Sequence, residues 1–205
     1  MNKSELEALI HALEEKRYKV SFFASKEDAT QYLCSCNKDK VIGFGDSLTM
    51  HEMQLNEALS RENRVLDPAV TSDDSEFVCV AKECLTAEVF MTSVNAITND
   101  GILVNMDGTG NRVAGSLFGH KKVYFILGTN KITKNLDDAV ARVRNIVAPQ
   151  NAMRRGYDTP CAKTGDRCYD CKSPARICNV LAIYLNKLLD TDEVEIVLID
   201  EELGL

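Results

Sequence analysis

The run KVYFILG at residues 122–128 constrains this chain more than any other segment. Side chains of a strand point alternately to its two faces, so a run that is apolar at odd and even positions alike must be covered on both sides. It predicts a central strand lying between other layers, and the rest of the chain supplies candidates for them. Leu6, Leu9, Ile10 and Leu13 make one apolar helical stripe over residues 5–17, with Ser4-x-x-Glu7 as a capping box at its start. Residues 18–24 (YKVSFFA) read as a strand, and Ser25 opens a second helix with Ala29, Tyr32, Leu33 and Cys36 on one face. The strand at 40–45 (KVIGFG) leads into a helix marked by the capping box Thr49-x-x-Glu52, with Leu55 and Leu59 one turn apart. A short strand at 63–66, a helix carrying Phe77, Ala81, Cys84 and Leu85, and a strand at 87–92 (AEVFMT) continue the alternation. Such an alternation predicts an α/β core.

Asn99-Asp100-Gly101 separates short apolar runs at 96–98 and 102–105, and Asp-Gly favours the positive φ angles of a tight turn, so an antiparallel hairpin is expected to interrupt the core. Leu136, Ala139, Val140, Val143 and Val147 form a further stripe, with Asp137 and Asp138 in its first turn and Pro149 beyond its end. This places the end of the α/β core near residue 150. Residues 151–174 have neither period and are rich in Cys, Arg, Lys, Asp, Gly and Pro, which reads as a loop that needs something to order it. Apolar runs at 177–185 and 193–199 follow and are read as a β-hairpin, although Ile177, Val180, Leu181 and Tyr184 also keep helical spacing. The expected organisation is a core over 1–150, then a Cys-rich loop and strands over 151–205 packed on it within a single domain.

Charge narrows the partners. Lys+Arg of 24 against Asp+Glu of 31 gives a net charge of −7, which repels phosphate backbones and anionic lipid, so neither nucleic acid nor a membrane is an expected partner. No apolar run approaches the roughly 18 residues of a membrane span, and no signal-peptide h-region precedes the first helix, from which a cytoplasmic protein is expected. In that reducing compartment the eight cysteines are more readily core residues, redox centres or metal ligands than disulfides.

Three places carry chemistry. Gly43, Gly45, Asp46, Ser47 and Thr49 join a strand to a helix, where glycines let backbone N–H groups approach a phosphate or carboxylate, although neither the dinucleotide fingerprint nor the P-loop is present. Its plain alternative is an ordinary capped turn. Asp107, Gly108, Gly110, Asn111 and Arg112 form a second, denser window, offering a general base in Asp107 and a planar anion clamp in Arg112. Asn95 and Lys131 follow strands, so the topology of open α/β sheets brings all of these to one carboxyl edge. The third place is Cys161, Cys168, Cys171 and Cys178, spaced C-x6-C-x2-C-x6-C in the aperiodic loop. Four thiolates suit zinc or an iron–sulfur cluster, either of which would order the loop, while a redox dithiol at Cys168 and Cys171 is the competing reading. His11, His51 and His120 have no Ser or Cys partner visible in sequence, which leaves a hydrolase triad unsupported.

Five ordered blocks, GFGDSLT at 43–49, NAITNDG at 95–101, DGTGNRV at 107–113, GTNKI at 128–132 and DCKSPARICN at 170–179, resemble the LUD (lactate utilization) domain proteins in their short stand-alone form. The resemblance implies the fold of the ribose-5-phosphate isomerase, glucosamine-6-phosphate deaminase and coenzyme A transferase superfamily, a three-layer α/β/α sandwich with a mostly parallel sheet. It also implies a role in lactate utilization or in oxidation of a small anionic metabolite, beside iron–sulfur or other oxidoreductase partners. Two other readings stay open: a zinc or iron–sulfur protein without its own catalysis, and a sugar-phosphate isomerase-like or CoA-transferase-like enzyme.

Overall fold

The structure, a computed structural model, describes residues 2–205. Its elements run α1 (Lys3–Glu15), β1 (Lys19–Phe23), α2 (Lys26–Cys36), β2 (Val41–Phe44), α3 (Leu48–Glu52), α4 (Leu55–Leu59), β3 (Arg64–Leu66), α5 (Asp74–Cys84) and β4 (Val89–Thr92). Then come β5 (Ala96–Thr98), β6 (Leu103–Asp107), α6 (Asn111–Leu117), β7 (Lys122–Gly128), β8 (Ile132–Thr133), α7 (Leu136–Arg142), α8 (Ala148–Arg154), α9 (Pro160–Thr164), β9 (Val180–Tyr184) and β10 (Glu193–Ile199). The main sheet has the order β1-β10-β7-β4-β2-β3 and every pairing in it is parallel.

β7 lies inside this sheet, as its composition demands. Val123, Phe125 and Leu127 pack on one face with Leu9 and Leu13 of α1, while Tyr124 and Ile126 pack on the other with Leu33 of α2, Met50 of α3 and Leu55 and Leu59 of α4. Helices therefore flank the sheet on both sides. The expected hairpin forms, with Gly101 at φ 79° in its turn, and it grows into a second sheet of order β8-β5-β6-β9. Ile97 and Leu103 of that sheet join the α1 side of the main core, while Ala96 and Val104 pack on Ala139 and Val143.

Local signals were displaced in three places. The cap of α1 is Asn2, whose side chain accepts from the Glu5 N–H while Glu5 returns the bond to the Asn2 N–H. The same spacing two residues before Ser4-x-x-Glu7 adds another half turn to the helix. Ser47 occupies the N-cap of α3, so the Thr49-x-x-Glu52 box does not form and the Thr49 hydroxyl is used elsewhere. Pro149 does not stop the last stripe. A π-helical turn at Val143–Val147 absorbs the missing N–H and the chain continues as α8.

The larger correction concerns the tail. Runs 177–185 and 193–199 do not pair with each other: β9 adds antiparallel to β6 in the small sheet, and β10 inserts between β1 and β7 in the large one. β10 is apolar on both faces, as β7 is, and such a strand buries more surface inside a sheet than in an appended hairpin. Two charged residues lie in it: Glu193 at its partly exposed start and Glu195, fully buried. Lys122 at 2.8 Å and Lys19 at 3.2 Å face the Glu195 carboxylate, which also accepts from Ser21 and Tyr32 at 2.7 Å. Burial pushes this carboxyl's pKa up, but the hydrogen bonds from Lys122, Tyr32 and Ser21 outweigh that and hold it below the ordinary range.

Gly43 sits where α5 crosses β2, and a Cβ there would lie 2.8 Å from the Cys84 carbonyl oxygen and 2.9 Å from its Cα. Backbone cannot yield as a side-chain tip can. Gly43→Ala is expected to lower stability by about 2 kcal/mol through overpacking, read as a lower urea midpoint with unchanged slope.

Candidate active site

The site forms where β2, β4 and β7 end side by side. Each of these neighbours delivers one group just past its last residue: Thr49 from the start of α3, Ser93 after β4, and Lys131 from the short turn after β7. Lys131 Nζ donates to Thr49 Oγ1 at 2.8 Å and to Ser93 Oγ at 3.0 Å. The residue is 3% exposed, and among the described residues no carboxylate pairs with it within 4.0 Å. Burial pushes the Lys131 pKa down to about 7, the Arg142 and Arg112 guanidiniums push the same way, and Glu52 opposes them in part. Arg142 is itself half buried, its Nη1 donating to the Asn95 carbonyl at 2.9 Å and its Nη2 to the Asn130 carbonyl at 3.2 Å.

Around this amine lies a cavity of about 350 Å³. Asn95, Asp107, Gly108, Asn111 and Arg112 line one wall, Asp46, Ser47 and Thr49 another, and Phe77, Val78 and Tyr157 add apolar surface. Arg112 Nη2 donates to the Met106 carbonyl and to Asn95 Oδ1, which ties the guanidinium to the small sheet. Asn95 Oδ1 also accepts from the Met106 N–H at 2.8 Å, so one carboxamide holds β6 and the arginine together.

The residues expected at one pocket thus divide. Asp46, Ser47, Thr49, Asn95, Asp107, Gly108, Asn111, Arg112 and Lys131 line it, whereas Gly43, Gly45 and Gly110 do not. A Cβ on Gly45 would lie 2.8 Å from Thr92 Oγ1, so the close packing of helix and strand by itself accounts for glycine at 43 and 45. Gly110 is the N-cap of α6 at φ 93°, a left-handed backbone that suits glycine. Asp107 Oδ2 accepts from the Val113 N–H at 3.0 Å, anchoring the first turn of α6. Asp46 pairs at 2.6 Å across the pocket rim with Arg155, the residue that caps the end of α8. Sequence reasoning missed Ser93 and Arg142. Ser93 follows a strand directly, the same signal that marked Asn95, whereas Arg142 stands on a helix with no motif around it. His120 lies outside the pocket lining, buried, with Nδ1 at 2.7 Å from the Ala87 carbonyl and its ring stacked on Phe90.

Side-chain hydrogen bonds to the backbone hold the cysteine loop. Among the described residues, no three His, Cys, Asp or Glu side chains are placed to hold a metal ion, Cys161, Cys168, Cys171 and Cys178 included. Cys161 is on α9 with its Sγ 3.3 Å from the Thr159 hydroxyl. Arg176 bridges the loop: Nη1 donates to the Cys171 carbonyl at 2.9 Å and Nε to the Cys178 carbonyl at 3.1 Å. Asp170, at φ 46°, pairs with Arg176 and Arg144 at 3.5 and 3.6 Å, and its N–H points at Cys168 Sγ. Burial raises the Cys178 pKa, Arg176 opposes this, and the neighbouring Cys168 and Cys171 thiols add to it.

The sequence pattern of the LUD domain matches residues 6–199. The chain belongs to the LUD domain family. That family is linked to lactate utilization. A solved DUF162 family protein from Deinococcus radiodurans has the same fold over 96% of each chain, with a TM-score of 0.55 and 12% sequence identity. No curated protein matches the sequence. Among the described residues no helix of this LUD domain is long and apolar enough to cross a membrane.

Two outcomes test this geometry. The Lys131 amine titrates near 7 when folded and near 10.5 in its ordinary state, so the unfolded chain binds the extra proton between those values and stability rises with pH through that window. Lys131→Met is therefore expected to raise stability at pH 7 by about 2 to 4 kcal/mol, after the loss of two hydrogen bonds, with the gain fading as pH approaches 10. Thermal melts of both proteins across that range measure it. Arg176→Met is expected to open residues 155–178 to limited proteolysis at low protease, because two loop carbonyls lose their shared donor while the sheets are untouched.

Proposed function

We propose that the pocket binds a small anionic metabolite of the lactate class and that the protein acts in its oxidation. The observation that carries this reading is the convergence of Lys131, Arg112 and Arg142, without a paired carboxylate at Lys131, at the carboxyl edge of the sheet. A protein of net charge −7 gathers three cations there at a cost, and a bound carboxylate offsets that cost. Thr49, Ser93 and Asn95 offer neutral hydrogen-bonding groups beside them, and the cavity volume suits a metabolite of a few carbons. Asp107, on the pocket wall, is the carboxylate available to move a proton. Oxidising a hydroxy acid releases two electrons that hydroxyl, amine and guanidinium groups do not accept. This reading therefore assigns them to an oxidoreductase partner, with iron–sulfur proteins the class the family resemblance suggests.

Arg112→Met is expected to weaken binding of lactate or pyruvate 10- to 100-fold, the value of a charge-assisted hydrogen bond, while the melting temperature stays within a few degrees. Isothermal titration of both proteins, with the neutral amide of lactate as control, measures this. Equal affinity for acid and amide would overturn an anion pocket.

A further inference from the structure

The geometry points to Lys131 as a nucleophilic amine that forms an imine with the carbonyl carbon of a 2-oxo acid whose carboxylate is held on the Arg112 side of the pocket. This inference rests on the pocket reading given above and assigns it a covalent step.

The hydrogen bonds around Lys131 decide how its nitrogen is used. The Thr49 hydroxyl donates to the Leu203 carbonyl at 3.3 Å and the Ser93 hydroxyl to the Val94 carbonyl at 3.3 Å. With their own protons committed, both hydroxyls can only accept from Lys131 Nζ, at 2.8 and 3.0 Å. A neutral amine has two N–H bonds, and these two acceptors take both. Its remaining tetrahedral position is the lone pair, and Lys131 is one of the residues that line the cavity. A lysine placed to stay charged would meet a carboxylate, as Lys122 does at Glu195. Lys131 instead meets two hydroxyls and two guanidinium neighbours, Arg112 and Arg142, and only the more remote Glu52 favours its charge.

The ligand class follows from what the walls can hold. An amine nucleophile needs a carbonyl, and the adjacent guanidinium and carboxamide of Arg112 and Asn95 suit a carboxylate one bond away. The step balances without an external redox agent. The Nζ lone pair attacks the carbonyl carbon and one proton passes from nitrogen to the former carbonyl oxygen, giving a carbinolamine; the second N–H proton then passes to that hydroxyl as the C–O bond breaks, releasing water and leaving the C=N bond. Asp107 and the two hydroxyls line the cavity and can relay those protons.

The test is reductive trapping. Full-length protein is incubated at pH 7 with pyruvate and sodium cyanoborohydride, followed by intact mass measurement and peptide mapping. A single adduct is expected first on Lys131, at least tenfold faster than on any other lysine, because exposed lysines are protonated at that pH. Lys131→Met should lose this adduct. Lys131→Met should also keep its fold, so folding failure would not mimic the result, and Arg112→Met should slow the labelling at saturating reductant without changing its position. Labelling spread over surface lysines with Lys131 unmodified overturns the imine. If pyruvate still binds by titration in that case, the anion pocket stands and only the covalent step falls; if it neither binds nor labels, both fall.

Discussion

Everything in this molecule depends on the pairing of β10 with β7. Seven residues of β10 register against β7 on one side and five against β1 on the other, so the last long strand of the chain occupies the middle of the sheet. A strand apolar on both faces has no comparable place at an edge. The first strand cannot join the sheet until residues 193–199 have arrived, because β1 touches the rest of it through β10 alone. Such long-range closure makes the sheet one cooperative unit and its folding slow relative to a local topology of the same size. Glu195 fixes the register. Shifting β10 by one residue would turn its carboxylate away from Lys19 and Lys122 and toward the apolar cluster on the opposite face.

The same pairing builds the site. Beyond β10, residues 200–205 run across the carboxyl edge of the sheet, where Asn130 accepts from the Leu203 N–H and Glu52 from the Gly204 N–H. A Cβ on Gly128 would lie 2.3 Å from the Glu201 carbonyl oxygen, and one on Gly204 would lie 3.3 Å from Lys131 Nζ. The returning chain is thus pressed onto the turn that carries Lys131. It buries the amine and commits the Thr49 hydroxyl, through the Leu203 carbonyl, to accepting from it. Strand order, burial and chemical state form a single chain of cause.

How much of this the sequence disclosed follows from the range of each interaction. Helical stripes, the Asp-Gly hairpin and the doubly apolar β7 are local patterns, and they appear where the residues place them. The convergence of Thr49, Asn95, Asp107, Arg112 and Lys131 was legible too, because groups past the ends of parallel strands share an edge whatever the strand order. What stayed hidden is decided by partners far away in sequence. Runs 177–185 and 193–199 are adjacent and look like a hairpin, yet each has a better partner more than fifty residues back, at β6 and β7. Gly43 and Gly45 resemble a ligand cradle because close packing against a helix and close approach to an anion both require a missing Cβ. The four cysteines have the spacing of a metal centre, and nothing in that spacing reveals that Arg176 already bridges the loop.

Under the proposed function, the energetics of Lys131 give its pocket two modes of occupation that exclude each other. Below its pKa of about 7 the amine is an ammonium beside two guanidiniums, and a carboxylate binding there relieves their repulsion and draws in a proton. Above it the amine is neutral and nucleophilic, and the attraction for an anion rests on Arg112, which lines the cavity. By linkage, an anion that prefers the ammonium raises the lysine's pKa, and so suppresses the neutral form that attacks a carbonyl. A ligand holding its carboxylate on Arg112 and its carbonyl on Lys131 escapes this conflict, since its charge sits on a group that never loses its proton. Under the proposed function, the division of labour between a permanent cation and a titrating one lets a single small cavity hold an anion and still present a reactive amine at neutral pH.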